Sequence, residues 1–303
     1  MKNILALLFL AVTTAFANGT ETNYSDLGQL IVKHFATAPF PHPARTNGHT
    51  YQDKLYSAAE HYSDNTVAIF IPKGFRETGT NDFVIHFHGW NNTVAGTLSQ
   101  FKLIEQLVAS GKNALLIVPE GPYNAPDSFG GKLEDPNGFK NFMAEVTETL
   151  RRSSAIRQTN FALGQIILSG HSGGYHVLAA MVARGGLAAH VKEVWLFDAL
   201  YGGTENFLAW SDRQHGRLLD IYTNHGGTTN ETLRLMKLLS DRGTPCLATE
   251  DQTVTPLELQ TNRLVFLHTD MPHNDVIEKR KTFAQFLETS CLTDVGPKAR
   301  PLH

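Results

Sequence analysis

Residues Gly170-His171-Ser172-Gly173-Gly174 constrain this chain more than any other segment. They stand between an apolar run of β character, Gln165-Ile166-Ile167-Leu168-Ser169, and a helical pattern that opens near Tyr175. A strand that turns into a helix within so few residues fits the G-x-S-x-G elbow, whose strained turn lifts a serine hydroxyl above the edge of a sheet. Two residues before and two after the serine, strand and helix backbones approach too closely for a side chain, and glycine relaxes the turn at least cost. The first amides of the following helix then point at the serine, where a developing oxyanion would sit.

A serine hydroxyl is a weak nucleophile at neutral pH and needs a base oriented by an acid. Where this elbow is used, the acid and then the base follow the serine in the chain. His273 is the expected base: it follows the apolar strand Arg263-Leu264-Val265-Phe266-Leu267-His268 and the turn Asp270-Met271-Pro272, with a helix expected from Asn274. His268 and His225, each at a strand end, are the competing bases. Asp198 is the expected acid, because it ends the run Val194-Trp195-Leu196-Phe197, the first strand after the elbow helix. The next strand ends in Asn224, which cannot carry the charge that stabilises an imidazolium; Asp220 lies inside that strand, and Glu250 and Asp251 in the loop before the last strand stay open as alternatives. Two backbone amides are needed for the oxyanion. Gly173 and Trp90 are expected to supply them, Trp90 because it follows the strand Asp82 to His88 and the pair His88-Gly89. His86 and His88 share a strand face by the two-residue period, but no third ligand stands with them, so no metal is expected.

Strand patterns at 66–71, 84–88 and 114–118, and near 165, 193, 218 and 263, alternate with helical patterns at 97–110, 137–157, 229–239 and 274–288. Continuous apolar strands alternating with helices imply a mostly parallel, doubly wound α/β sheet flanked by helices. Ligands then bind at the carboxyl ends of the strands, where His88, Ser172, Asp198 and His273 all map. The loops 120–136 and 201–216 are expected to shape the pocket, and neither is long enough for a large lid. Tyr123, Asp127 and Tyr175, together with Phe129 and Trp90, are the candidate substrate contacts.

Taken in order, the strand ending His88-Gly89-Trp90, the elbow, Asp198 and the loop Pro272-His273-Asn274-Asp275 resemble the α/β-hydrolase superfamily over residues 64–289. Within it, the His-Gly-X loop and the run Val118-Pro119-Glu120-Gly121-Pro122 are similar to secreted esterases of the polyhydroxyalkanoate-depolymerase and feruloyl-esterase kind. The resemblance implies an α/β-hydrolase fold without a large cap domain. It also implies a serine hydrolase that cleaves carboxylic esters, small or polymeric, through an acyl-enzyme on Ser172 and without a cofactor. A peptidase or amidase would use the same triad, and a non-catalytic binding protein on a hydrolase scaffold is the alternative of another class. The acid of the superfamily more often follows the next strand, where this chain has Asn224; Asp198 takes the alternative position.

A net charge of −3 over 303 residues, with no basic patch, argues against a nucleic-acid partner. Lys2, the short apolar core Ile4 to Val12 and the site Ala15-Phe16-Ala17 read as a cleavable signal peptide over 1–17. The mature chain is then expected from Asn18, secreted or periplasmic, with an apolar stretch too short for stable membrane insertion. Residues 18–63, rich in Pro, His and Thr, are expected to pack as an extension on a catalytic domain spanning 64–303, whose first clear strand is Thr66 to Ile71. Export permits disulfides. Cys246 and Cys291 each follow a helix that runs away from the catalytic edge, so a Cys246–Cys291 bridge is expected, closing a loop of about 45 residues.

Overall fold

Why the strand patterns are so uniformly apolar is plain from the sheet they build. A computed structural model describes residues 24–153, 156–157 and 161–295; the signal peptide expected over 1–17 and the expected mature start at Asn18 lie outside the described residues. In chain order the strands are β1 (Gly28–His34), β2 (His49–Tyr51), β3 (Lys54–Tyr56), β4 (Thr66–Pro72), β5 (Thr80–Phe87), β6 (Ala114–Pro119), β7 (Ala162–His171), β8 (Val191–Phe197), β9 (Arg217–Thr223), β10 (Leu247–Glu250) and β11 (Leu264–Thr269). Among the described residues, nine of them form one sheet in the order β1-β4-β6-β5-β7-β8-β9-β11-β10. The pairs β1–β4 and β4–β6 are antiparallel and every pair from β6 to β10 is parallel. β2 and β3 form a separate hairpin.

The helices are α1 (Ala58–His61), α2 (Val94–Phe101), α3 (Leu103–Ser110), α4 (Gly138–Arg151), α5 (Tyr175–Arg184), α6 (Thr204–Gln214), α7 (Thr229–Asp241), α8 (Pro256–Thr261) and α9 (Thr282–Glu288). They cover both faces of the sheet. Ile69, Ile85, Ile117 and Leu168 pack with residues of α4 to α7 on one face. Phe70, Val84, Leu116 and Ile167 pack with α2, α3, α8 and α9 on the other. Successive strand residues therefore enter different cores, and both must be apolar. Trp195 shows the scale: fully buried, it meets Phe283 and Phe286 at 5.7 Å each, and its indole N–H donates to Glu193 at 2.9 Å. Burying such a ring contributes several kcal/mol.

The helix expected over 97–110 is two helices. Thr93 caps the first by accepting from the Gly96 amide at 3.0 Å. Lys102 then turns left-handed at φ 48°, which lets Phe101 and Leu103 both enter the core. The break orphans the Phe101 carbonyl, and the Gln106 side chain donates to it at 2.7 Å. The last helix is likewise shorter than expected: a single 3-10 turn spans His273–Asp275, and α9 starts only at Thr282. The extension does more than pack on the domain, since Gly28–His34 adds an edge strand to the main sheet.

The expected disulfide is corrected: Cys246 and Cys291 are both free thiols. The helices that precede them lie on opposite faces of the sheet, α7 on one and α9 on the other. Cys246 adjoins β10 at the sheet edge, whereas the Cys291 amide donates to Glu193 on β8 at 2.6 Å. β10 and β8 are three strand spacings apart, or roughly 14 Å, and a disulfide needs Cα atoms within about 7 Å. Protein unfolded without reductant is expected to titrate two thiols per chain with a chromogenic disulfide; a value of zero would contradict this arrangement.

Candidate active site

Ser172 sits at the end of β7 in the left-handed region, φ 51°, with a 3-10 turn over Ser172–Gly174 leading into α5. A β-carbon-bearing residue rarely holds that conformation, and its cost of about 1–3 kcal/mol points to a site where the backbone is held for a purpose. The segment after β5 presses against it. A β-carbon at Gly89 would lie 2.5 Å from Ser172 Cβ and 3.1 Å from its Oγ, so only glycine passes so close. The next residue, Trp90, lays its indole against Gly173 and donates from Nε1 to Ser128 Oγ at 2.8 Å. The ring is 41% exposed.

His88, two residues back, is buried and fixes this segment. Its Nδ1 meets the Gly89 carbonyl at 2.8 Å and its Nε2 meets Glu120 at 2.8 Å. The other Glu120 oxygen accepts from the Val94 amide at the start of α2, 3.0 Å away. Burial works to lower the His88 pKa, but the Glu120 carboxylate and the Gly89 carbonyl outweigh it and hold the imidazole above its ordinary value. His86 sits among Phe101 and Phe283, with Nδ1 on Ser169 Oγ at 2.8 Å. Among the described residues no group of three or more His, Cys, Asp or Glu side chains gathers as a metal site.

Asp198 follows β8 directly and is fully buried, at φ 44°. Its Oδ2 meets His273 Nδ1 at 2.5 Å. Its Oδ1 accepts from the Thr228 hydroxyl and from the Thr223 amide, the latter at 3.3 Å. Gly226 lies over the carboxylate, where a β-carbon would fall 1.6 Å from Oδ2. The His273 backbone is held in turn by His171, whose Nε2 contacts the His273 carbonyl at 3.0 Å and whose ring lies 4.6 Å from the His273 ring. Burial, then the neighbouring His273, lower the His171 pKa to about 3, so His171 is a neutral prop. With Nδ1 on the aspartate, His273 keeps Nε2 for another partner. The ends of the parallel strands β7, β8 and β11 thereby carry Ser172, Asp198 and His273, 26 and 75 positions apart in sequence, to one edge of the sheet.

Several of the competing residues are engaged elsewhere. His268 pairs with Glu250 at 2.9 Å, and Asp251 pairs with Arg280 at 2.7 Å. Asp220 sits inside β9, buried, and accepts from Thr232 at 2.7 Å. Of the expected substrate contacts, Tyr175 borders the site beside Tyr201, ring centroids 5.9 Å apart. Tyr123 is tied through its backbone to His61, at 2.7 and 2.9 Å. The Asp127 carboxylate is occupied by a two-pronged pair with Arg45 at 2.7 and 3.1 Å, and the Arg45 guanidinium covers Phe129 at 4.6 Å. That pair ties the N-terminal extension to the loop beside the site. Tyr51 of the hairpin adds a contact with Trp90 at 5.1 Å. Sequence reading missed Tyr201 and Glu120 as members of the site; Tyr201 had the signal of following the acid by three residues at a strand end.

No family model and no curated protein matches the sequence. Solved structures do match the fold. The feruloyl esterase module from Clostridium thermocellum, solved with sinapinate, superposes with a TM-score of 0.53 at 11% identity, covering 87% of this chain and 88% of that one. A ferulic acid esterase superposes with a TM-score of 0.50 at 14% identity, covering 74% and 90%. The fold is the α/β-hydrolase fold. Among the described residues no helix is long and apolar enough to cross a membrane.

Asp220 generates a test of the electrostatics. Burial, with the charge of Asp198 adding to it, raises its pKa from 3.8 to about 7. The folded chain then binds a proton that the unfolded chain has lost, so stability falls as pH rises from about 4 to about 7, by about 1.4 kcal/mol per unit at most, and is flat above. Asp220→Asn is expected to abolish that decline in unfolding free energy measured by denaturant titration between pH 4 and 8. Parallel curves for variant and wild type would contradict it.

Proposed function

We propose that this protein is an exported serine hydrolase of carboxylic esters. The observation that carries the reading is the 2.5 Å contact between His273 Nδ1 and the buried Asp198 carboxylate, beside a serine held in a left-handed turn. In the reaction, Ser172 Oγ attacks the ester carbonyl while His273 Nε2 takes its proton. The negative charge that forms on the carbonyl oxygen is met by the amides of Gly173 and Trp90. Asp198 stabilises the imidazolium and keeps the ring in the tautomer that leaves Nε2 bare. The imidazolium protonates the departing alcohol, and water activated by the same histidine releases the acid from Ser172. None of these steps calls on a cofactor.

Two further observations support an ester. Two of the matched structures are a feruloyl esterase module and a ferulic acid esterase. Trp90, beside Gly173, and Tyr201, beside His273, are both partly exposed and suit a substrate with an apolar, flat part. Export rests on the basic, apolar and A-x-A pattern of residues 1–17.

With short p-nitrophenyl esters as substrates, Ser172→Ala is expected to lower kcat by about 10⁴-fold or more, and Asp198→Asn by about 10³- to 10⁴-fold, each with an unchanged far-UV spectrum. Retained turnover in folded Ser172→Ala would overturn the assignment.

A further inference from the structure

Tyr201 lies on the loop leaving β8 and is held in the site from several directions. Its hydroxyl donates to the Gly226 carbonyl, on the segment that covers Asp198. The Ser172 side chain is near enough to the same hydroxyl to favour its ionised form. Its ring meets the His273 ring nearly at right angles, centroids 6.5 Å apart, and is 39% exposed. Trp90, on the segment after β5, packs against Gly173 and Ser128, whereas Tyr201 is on the loop leaving β8 and faces the base, so a phenol stands beside His273 and near Ser172.

In acyl transfer the departing oxygen must reach the imidazolium that protonates it, so it leaves along the side of the base. We propose that Tyr201 is a catalytic residue that hydrogen-bonds the leaving-group oxygen, its O–H turning from the Gly226 carbonyl to the alcohol oxygen of the bound ester. This rests on the reading of Ser172 as the nucleophile. As the C–O bond of the tetrahedral adduct breaks, its electron pair passes to the leaving oxygen. The proton on His273 Nε2 moves to that oxygen, and Tyr201 keeps its own proton throughout. Burial, then the charge of Asp198, push the phenol up to about 12, so it remains a donor across the neutral range. Such a donor contributes most when the leaving oxygen carries much of the charge, as an alkoxide does, and least when the charge is delocalised, as in a nitrophenolate.

The test compares an ethyl ester and a p-nitrophenyl ester of the same acid in wild type and Tyr201→Phe. The ratio of kcat/KM for ethyl over p-nitrophenyl ester is expected to fall at least about tenfold in the variant, whatever the change in absolute rate. A tyrosine that merely shapes the site would scale both esters alike, and an unchanged ratio overturns the proposal. Tyr201→Leu carries the same expectation should the phenylalanine variant not fold. Wild-type protein that hydrolyses neither ester would instead overturn the reading of Ser172, and this inference with it.

Discussion

The candidate site depends on how one buried carboxylate is held. Asp198 has no exposure to water, and a charge taken out of water costs several kcal/mol unless it is paired and hydrogen-bonded. Each of its partners comes from a different part of the chain: His273 after β11, Thr223 at the end of β9, Thr228 at the start of α7. The N-terminal turn of α7 also brings its partial positive charge to the aspartate. One turn further on, Thr232 of the same helix reaches Asp220. Two threonines on one helix face therefore dock α7 onto two neighbouring strands. Burial, with the charge of Asp198 adding to it, raises the Asp220 pKa to about 7, and the carboxylate that His273 Nδ1 meets is that of Asp198.

Buried histidines do the remaining positioning, and their surroundings divide the work. His171 is kept neutral and supports the His273 backbone. His88 is held by Glu120 and locks the Gly89-Trp90 segment against Ser172. His86 is buried among aromatic rings, which pushes its pKa far down and leaves it uncharged. A histidine that is to accept and return a proton must differ from these, and His273 does: its ring is partly exposed and its Nε2 is left open by the aspartate on Nδ1. The scaffold that keeps this order is the pair of cores on either side of the sheet.

Much of this was legible in the sequence because strand ends are legible. A parallel strand buried on both faces reads as an apolar run, and the residue that ends it comes to the carboxyl edge of the sheet; Asp198 was read in that way, Ser172 from the glycine pattern of its turn and His273 from the turn after the last strand. Where the pattern failed, physical reasons stand behind it. β1, Gly-Gln-Leu-Ile-Val-Lys-His, is an edge strand with a mixed polar surface, and β10 is four residues long. Neither carries the signal of a core strand. The break at Lys102 is compensated by a side chain four residues on, which no periodicity reveals. The disulfide failed because a helix pattern tells where a helix ends along the sheet but not which face it covers. Asp127 looked available in a polar loop, and its partner Arg45 is 82 residues away. Tyr201 escaped notice because a tyrosine in a loop is ordinary until the fold sets it beside the serine.

The central claim is that the elbow, His273 and Asp198 make Ser172 nucleophilic. The most direct test is the intact mass of folded wild-type protein after treatment with diisopropyl fluorophosphate, followed by peptide mapping. The account predicts a single organophosphoryl adduct, carried by Ser172 and lost in Asp198→Asn treated for the same time. Folded protein that takes up no adduct, or carries it on a serine away from the elbow, would contradict it.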